Sequence, residues 1–362
     1  FFCLAITSQS FPLATLGKNQ QIIGMLAAIG LLRKIPLPKV QKSLPRGPKA
    51  FWQTLFALNW LASVMNMSAL AIFSDRIAAE GEGRLNTFQG IYLARAFSLA
   101  ALWSPMFIAM GVALVYAPGA DYRVLMLWGL PFSQMLLVGM TTVAIKTYRD
   151  ETALFVGYPF HPQALMGPIA LAGLILAGHM LFPSVSIVLM ITFLMPIYAI
   201  LANFRNKPIK VLVQYVTTDL PRMGPEVVLF LAAGIFGAGL ASLFEGDTLT
   251  IGPEHNSLLL VIIGLTFILA LSVVGIHSVV GIAIVSGVLV AAEIPPNLLA
   301  MCFLMGWGIG NLINPISGIH LLLSGRYAFH SRAVWRWNWS FVITAFAMGC
   351  LWLSVGTHFL GH

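Results

Sequence analysis

Two clusters of small polar and helix-breaking residues interrupt an otherwise apolar sequence. The stronger cluster combines amides, a hydroxyl, a proline and two glycines: Gly310, Asn311, Asn314, Pro315, Ser317 and Gly318. The weaker cluster is the pair Ser104 and Pro105. A helix interrupted at such a point exposes carbonyl oxygens on its upstream half and N–H groups, at a positive dipole end, on its downstream half. These groups suit a coupling Na⁺ and a small anion, so both clusters are predicted ligand sites.

Two further groups of polar residues fall at the predicted tips of helical hairpins. They are Ser63, Asn66 and Ser68 at the first tip, and Gly275, His277 and Ser278 at the second. Hydroxyl and amide groups beside a helix break can complete a site for Na⁺ or for an anion. The predicted binding residues therefore come from four segments. No resident metal or cofactor is expected beyond a transported Na⁺ or H⁺.

Several of these residues also have a structural interpretation. Serine and glycine in membrane helices often serve close packing, and a lone proline often makes only a kink. His277 is compatible with proton coupling, with anion binding and with a hydrogen bond to a neighbouring helix. His320 is left open, whereas Arg95 is expected to extend its charged end to the membrane interface. The paired amides Asn311 and Asn314 favour a ligand role, because amides at lipid depth need partners.

The composition indicates that membrane helices position these clusters. The chain has 362 residues, of which 59% are hydrophobic and 9% are charged, whereas soluble domains carry about a quarter charged residues. Its apolar runs are of helix length, which excludes a soluble enzyme and a barrel of short alternating strands. The net charge of +8 is attributed to loop placement rather than to nucleic-acid binding. The predicted fold class is an all-α polytopic membrane protein.

The cysteines and the first residues give two further expectations. Cys3, Cys302 and Cys350 are scattered in apolar surroundings, which argues against a disulfide framework and a zinc site. The sequence begins with Phe1 rather than methionine, so we expect an N-terminal segment to precede it.

Seven apolar stretches are long enough to be predicted as membrane spans. They are 89–117, 124–145, 167–183, 184–203, 225–244, 296–323 and 337–358. Loops rich in Lys and Arg face the cytoplasm. This rule places the loops 33–49, 204–223 and 324–336 there, and the acidic loop 245–257 outside.

Counting crossings between these loops leaves two segments that return to the side from which they enter. Residues 51–88 must begin and end in the cytoplasm, and residues 255–292 must begin and end outside. The first is predicted to be a re-entrant hairpin. The second is predicted to be either two crossings or a hairpin entered from the opposite face.

The two segments also align with each other. Residues 62–74 match 271–284 with one insertion, and an offset of 210 then places Ser104 on Asn314. The predicted architecture is therefore two inverted repeats, each with a re-entrant helical hairpin and a broken transmembrane helix. The predicted segments are 1–50 for a partial N-terminal scaffold with the basic loop, 51–146 for the first-repeat transport elements (hairpin 51–88, broken helix 89–117), 147–254 for scaffold helices and linkers, and 255–362 for the second-repeat transport elements (hairpin 255–292, broken helix 296–323).

This order of elements resembles the ion transporter superfamily, which includes dicarboxylate/sodium symporters, citrate permeases and arsenite antiporter-like permeases. The resemblance rests on residues 63–68, 103–105, 275–278 and 310–318, and it spans about residues 20–358. It implies that hairpin tips and broken helices form the substrate and ion sites. It also implies a homodimer in which a transport domain moves against a scaffold. Neither tip carries the Ser-Asn-Thr triplet of the dicarboxylate symporters, so the substrate is left open.

The expected function is secondary active transport of a small anion, an organic carboxylate first, coupled to Na⁺ or H⁺. A cation/proton or arsenite-type antiporter of the same fold is the alternative. A membrane enzyme on a lipid-linked substrate and a channel are less favoured, because surface acids and histidines are sparse and the polar residues form no continuous lining. The expected location is the bacterial cytoplasmic (inner) membrane. The expected partners are the lipid bilayer and a small anionic solute, and no nucleic acid.

Overall fold

A computed structural model describes most of the chain and shows helices throughout the part that it describes. The described residues are 17, 19–31, 44–79, 83–158, 163–203, 208–244, 256–327 and 331–360. Their α-helices are α1 (Gln20–Gly30), α2 (Pro48–Met65), α3 (Met67–Ala79), α4 (Thr87–Leu99), α5 (Ile108–Tyr116), α6 (Tyr122–Thr147), α7 (Arg149–Ala153), α8 (Gln163–Leu181), α9 (Ile187–Ala202), α10 (Pro208–Gln214), α11 (Gly224–Phe244), α12 (Ser257–Val273), α13 (Ser278–Leu289), α14 (Pro296–Ile313), α15 (Gly318–Tyr327) and α16 (Ser331–Leu360).

The fold class predicted from composition is confirmed. Within the described ranges the β-type pairing is limited to an isolated bridge between Arg46 and Val156. Among the described residues, four helical stretches are long and apolar enough to cross a membrane: Tyr122–Thr147, Pro208–Gly239, Pro296–Tyr327 and Arg336–Thr357. The chain is therefore an all-helical, multi-pass membrane protein.

One predicted loop is wrong where the structure describes it. Residues 204–223 were expected to form a cytoplasmic loop, yet α10 is followed by a π-helical turn over Tyr215–Asp219 and a 3₁₀ turn over Leu220–Met223 that leads into α11. Pro208 stands at the first position of α10, where its missing N–H is tolerated. Counting charges orients a segment but does not report its backbone conformation. The basic loop up to residue 43 and the acidic loop 245–255 lie outside the described residues.

The helix α14 forms the centre of the molecule. It packs against α12, α16, α5, α4 and α13. In the stretch Pro296–Tyr327, 83% of the residues in the most apolar window are buried, compared with 33% in Arg336–Thr357. The helix α14 is therefore enclosed mainly by protein, whereas Arg336–Thr357 leaves most of its surface uncovered by protein.

The first hairpin consists of α2 and α3, which pack against each other on either side of Asn66. Asn66 has a φ of 49° and a ψ of −138°, a backbone conformation that residues with a side chain rarely adopt. The hairpin begins and ends beside the start of α4, since the Phe51 and Phe88 rings lie 5.4 Å apart. Phe73 near the end of α3 packs on Tyr158, whose backbone N–H is bound by Thr54 near the start of α2.

The second hairpin consists of α12 and α13, joined at residues 274–277. The end of α13 and the start of α14 line one cavity of about 240 Å³ together with Ala117 and Pro118, which follow α5. The Cys302 thiol donates to the Val261 carbonyl near the start of α12. The second hairpin therefore opens beside the end of α5, whereas the first opens beside the start of α4.

Candidate functional site

The first predicted break separates α4 from α5. A 3₁₀ turn over Ala100–Leu102 ends α4, and the next regular helix begins at Ile108. The Ser104 hydroxyl donates to the carbonyl oxygen of Ser63 in the first hairpin, and its oxygen accepts from the Met106 N–H at 3.1 Å. Ser104 is fully buried. The side chain at the break thus binds the hairpin and caps the non-helical turn.

The second predicted break separates α14 from α15, and Asn314 performs the same two tasks there. Its Nδ2 donates to the Ile276 carbonyl at the tip of the second hairpin, at 2.9 Å, and its Oδ1 accepts from the Ile316 N–H at 3.0 Å. Ser104 and Asn314, aligned by the sequence offset, each accept from the N–H two residues ahead. Each also donates to a carbonyl of the hairpin in its own half.

Backbone groups at the second break are also satisfied from within the break. The Asn314 carbonyl accepts from the Ser317 N–H at 3.1 Å and from His320 Nδ1 at 2.7 Å. The Ser317 hydroxyl oxygen accepts from the His320 N–H at 3.4 Å. The side chains of Asn314 and Ser317 therefore hold the break together, and their binding of a ligand stays a prediction.

The tip of the second hairpin packs closely on α14. His277 caps α13, with its Nδ1 accepting from the Val279 N–H at 3.2 Å, and its ring meets Trp307 edge-on at 5.1 Å. This bond is local to the tip rather than to a neighbouring helix. A Cβ on Gly310 would lie 2.7 Å from the Ser272 hydroxyl oxygen and 3.4 Å from that of Ser278, so glycine permits this approach.

Two predicted residues of the second tip, Gly275 and Ser278, have unusual features. Gly275 has a φ of 90°, which a residue with a side chain rarely adopts. Ser278 is buried, and its hydroxyl has no hydrogen-bond partner among the described residues. An unpaired buried hydroxyl beside a helix break is available to a ligand or to water.

The first tip contributes less than the sequence predicted. The Asn66 Oδ1 accepts from the N–H of the next residue, Met67, at 2.8 Å. Ser68 is half-buried, and the structure shows no hydrogen bond of its hydroxyl within the described part of the chain. A Cβ on Gly318 would lie 3.9 Å from Met67 Cε, so this tip approaches the second break through Met67. Of the predicted residues of the first tip, Ser63 alone meets a break, through its carbonyl.

The two halves are joined where α4 crosses α14. The Ser98 hydroxyl donates to the Gly308 carbonyl at 2.6 Å, and these residues are 210 positions apart, the offset of the sequence alignment. A Cβ on Gly308 would lie 3.1 Å from Leu102 Cδ2. Equivalent positions of the two halves therefore touch, and this crossing fixes one break relative to the other.

The two breaks differ in their access to solvent. Residues 101–107 are all buried, and Pro105 lies among them. At the second break Ile316 is 61% exposed, Pro315 is half-buried and Gly318 is exposed. Asn311, in the last turn of α14, is half-buried and shows no hydrogen bond to a described residue. Asn311 is therefore the predicted site residue whose amide is free for a ligand at the accessible break.

Arg95 does not extend to a membrane interface, so that expectation is wrong. It is 8% exposed, its Nε donates to Asn338 Oδ1 at 2.8 Å, and its Nη2 donates to the Trp337 carbonyl at 2.7 Å. The guanidinium also lies over the rings of Tyr92 and Phe341, at 5.0 and 4.8 Å. Its acceptors are more than 240 residues away in sequence, so the local spacing around Arg95 gave no sign of them.

Asn338 connects Arg95 to the second break through hydrogen bonds. Its Nδ2 donates to the carbonyl of Leu312 at 3.2 Å, in the last turn of α14. Sequence reasoning missed this residue, because an amide within a predicted span was the only available signal. Asn338 is fully buried, and its two bonds satisfy both ends of an amide that water does not reach.

We expect Arg95→Lys to lower the free energy of unfolding by about 1–3 kcal/mol, because an ammonium cannot reproduce two forked hydrogen bonds to α16. Arg123→Lys is the matched control. Arg123 pairs with neighbouring Asp121 at 2.7 Å with 60% of its side chain exposed, so we expect no measurable change. Thermal unfolding of the purified variants in detergent measures both. Equal shifts would contradict the bridging role of Arg95.

The described site has no cluster of metal-binding side chains. Among the described residues, no group of three or more His, Cys, Asp and Glu side chains is placed to hold a metal ion. The chemistry on offer consists of backbone dipoles, amides, hydroxyls and indole N–H groups. The Trp103 indole N–H, at the first break, is buried without a hydrogen-bond partner in the described structure.

Comparisons with known proteins identify the fold. No family model matches the chain, and no curated protein matches its sequence. Its structure is similar to the crystal structure of the YdaH transporter of Alcanivorax borkumensis, with a TM-score of 0.59 and 14% sequence identity over 96% of this chain and 88% of that chain. At this identity the likeness shows the fold alone. The chain is thus a multi-pass membrane protein whose fold is shared with a membrane transporter.

Proposed function

We propose that the protein is a secondary active transporter of a small organic anion, with carboxylates as the substrate class and Na⁺ or H⁺ as the coupling ion. The observation that carries this proposal is the matched pair of helix breaks. Ser104 and Asn314 bind the hairpins of their own halves in the same way, at the same offset as the crossing of Ser98 with Gly308. Paired breaks held against hairpin tips place two sets of helix-end dipoles inside the protein.

The proposed ligand position is beside the second break. The N-terminal turn of α15 supplies N–H groups and a positive dipole end to an anion. Asn311 adds an amide and Ser278 adds a buried hydroxyl, and neither group has a hydrogen-bond partner among the described residues. Uncharged donors of this kind bind a carboxylate without burying a permanent charge, which suits a site that must also release its ligand.

The proposal also includes the architecture in the membrane. The first hairpin opens beside the start of α4 and the second beside the end of α5, which supports two inverted repeats. We propose membership of the ion transporter superfamily, a homodimer and a bacterial cytoplasmic membrane location on the resemblance alone. Among the alternatives, antiport of a cation or of arsenite against protons would use the same breaks.

Transport by proteoliposomes tests the proposal. Acetate, benzoate, succinate and citrate are applied one at a time under an imposed Na⁺ or H⁺ gradient, and uptake and membrane currents are recorded. We expect saturable uptake of at least one carboxylate that depends on one of the two gradients. Uptake of arsenite or Na⁺ against protons, with none of the carboxylates moving, would replace the proposal with the antiporter alternative. Currents that do not saturate would indicate a channel.

We expect Asn311→Ala to reduce carboxylate uptake about tenfold, because loss of one hydrogen bond to a charged ligand is worth about 1.5 kcal/mol. Folding should be unaffected, since the amide has no described protein partner. Thr266→Ala is the matched control. The Thr266 hydroxyl is exposed and bonds within its own helix, to the Ile262 carbonyl at 2.7 Å. Normal uptake by Asn311→Ala would remove Asn311 from the site.

A further inference from the structure

Buried polar groups without partners recur along the interface between α3 and α15. His320 Nε2 and the Ser324 hydroxyl are each buried without a hydrogen-bond partner among the described protein groups, and the Ser74 hydroxyl of α3 lies beside Tyr327 of α15. His320 and Ser324 are four residues apart and so lie on one face of α15. Buried polar groups in proteins are almost always hydrogen-bonded, and where protein partners are lacking ordered water supplies them.

The hydrogen bonds of His320 define which of its nitrogens is available. Its Nδ1 lies 2.7 Å from the Asn314 carbonyl oxygen. A carbonyl oxygen can only accept, so Nδ1 carries the hydrogen in the neutral ring. Nε2 is then an unprotonated acceptor that is fully buried and unpaired. A nitrogen in this state can bind a proton.

The helices α3 and α15 run side by side from the breaks toward an exposed ion pair. Met67 lies beside Gly318 at their starts. Toward their ends the Tyr327 hydroxyl donates to Asp75 Oδ1 at 2.7 Å. The Asp75 carboxylate pairs with Arg326 at 2.9 Å, and these side chains are 42% and 54% exposed. The unpaired groups therefore lie between the second break and a solvent-accessible carboxylate.

We propose that water enters between α3 and α15 at the Asp75–Arg326 pair and carries protons to His320, which binds one proton at Nε2. Hydronium supplies the proton and leaves as water, and the imidazole becomes an imidazolium. The coupling of this proton to a carried anion rests on the proposed transport function, whereas hydrated access to His320 does not. In that setting the coupling ion is H⁺.

Charged groups on the surrounding helices determine whether a proton is attracted to His320 or repelled from it. The helix α3 carries Asp75 and Arg76, α4 carries Arg95, α16 carries Arg336, and α15 itself carries Arg326. The helix α14 carries no charged residue, and its one thiol, that of Cys302, faces α12. Asp75 is thus the anion on these described elements that favours an approaching proton. Protonated His320 places a positive charge beside Asn314, the residue that ties the second break to its hairpin.

Deuterium exchange at histidine C2, measured by mass spectrometry on the full chain in nanodiscs across pH 4–9, tests the proposal. Exchange at this carbon requires water and depends on the protonation state of the ring. We expect His320 to exchange with a sigmoidal pH dependence. We expect Ser324→Val to slow this exchange at least threefold, because an isopropyl group closes the path, and to leave His179 unchanged. If Ser324→Val does not fold, Ser324→Thr, whose added methyl group narrows the same path, is measured against the same expectation.

Two results would overturn the inference. The first is a His320 that does not exchange while His179 does, and the second is exchange of His320 that neither Ser324 variant alters. The transport assay distinguishes failure of the proton path from failure of the proposed function. Carboxylate uptake together with a silent His320 would refute the proton path alone, whereas an exchanging His320 without carboxylate uptake would refute the proposed function alone.

Discussion

Gly129→Ala is expected to disrupt assembly of the first broken helix. A Cβ at this position of α6 would lie 2.9 Å from the Leu102 carbonyl carbon and 3.2 Å from Trp103 Cα, and closer still to the Leu102 carbonyl oxygen. All of these atoms belong to the backbone at the first break, so no flexible side chain can move aside. Overpacking of this kind destabilises proteins by about 1–3 kcal/mol or more, because helices must separate to relieve it.

The matched control is Gly139→Ala on the same helix. A Cβ at Gly139 would meet no atom within 4 Å, so the substitution changes helix propensity alone. Alanine in a helix is favoured over glycine by about 0.5–1 kcal/mol, and this variant should be slightly more stable than the natural protein. Thermal unfolding and gel-filtration profiles in detergent compare the two. A Gly129→Ala protein as stable as Gly139→Ala would contradict the close approach of α6 to the first break.

The breaks could be predicted from the sequence because their signals are local. Proline cannot continue the hydrogen-bond pattern of a helix, and small polar residues beside it can cap the freed backbone. The spacing of Asn314 and Pro315 therefore sufficed for the second break, and the alignment with Ser104 and Pro105 for the first. The helix ends are observed within a few residues of both positions.

The partners of the breaks could not be predicted, because they depend on contacts between distant segments. Arg95 finds its acceptors on α16, and Asn338 then reaches the Leu312 carbonyl. His320 turns back onto the Asn314 carbonyl, a bond that position alone does not reveal. An apolar stretch predicts that a helix is buried, but it does not identify the neighbouring helix that satisfies each polar group.

The crossing of α4 and α14 connects the two helix breaks mechanically. Ser98 and Gly308 touch at positions that the alignment makes equivalent. Each break is tied to its own hairpin, and the crossing ties one half to the other. Displacing one hairpin relative to its break would therefore strain the bond at Ser104 or Asn314. The contact between Ser98 and Gly308 would transmit this strain to the other half. This arrangement favours movement of hairpins and breaks as a single unit.

Ser104→Ala is expected to be more damaging than Asn314→Ala, although the two residues form the same two bonds. Removing the Ser104 hydroxyl leaves the Ser63 carbonyl and the Met106 N–H unpaired where every neighbouring residue is buried. Each buried unpaired group costs about 1–3 kcal/mol, so we expect a loss of about 2–4 kcal/mol in the free energy of unfolding.

At the second break we expect the corresponding loss in the free energy of unfolding to be smaller. Ile276 is 37% exposed and Ile316 is 61% exposed, so the backbone groups that Asn314 binds are less enclosed by protein than those that Ser104 binds. We expect Asn314→Ala to cost about 1 kcal/mol, a typical net value for a hydrogen bond. Thermal unfolding of both variants measures the difference, and Ser104→Thr, which keeps the hydroxyl, should recover most of the stability. Equal losses, or no recovery with threonine, would show that the first break is not held by this hydroxyl.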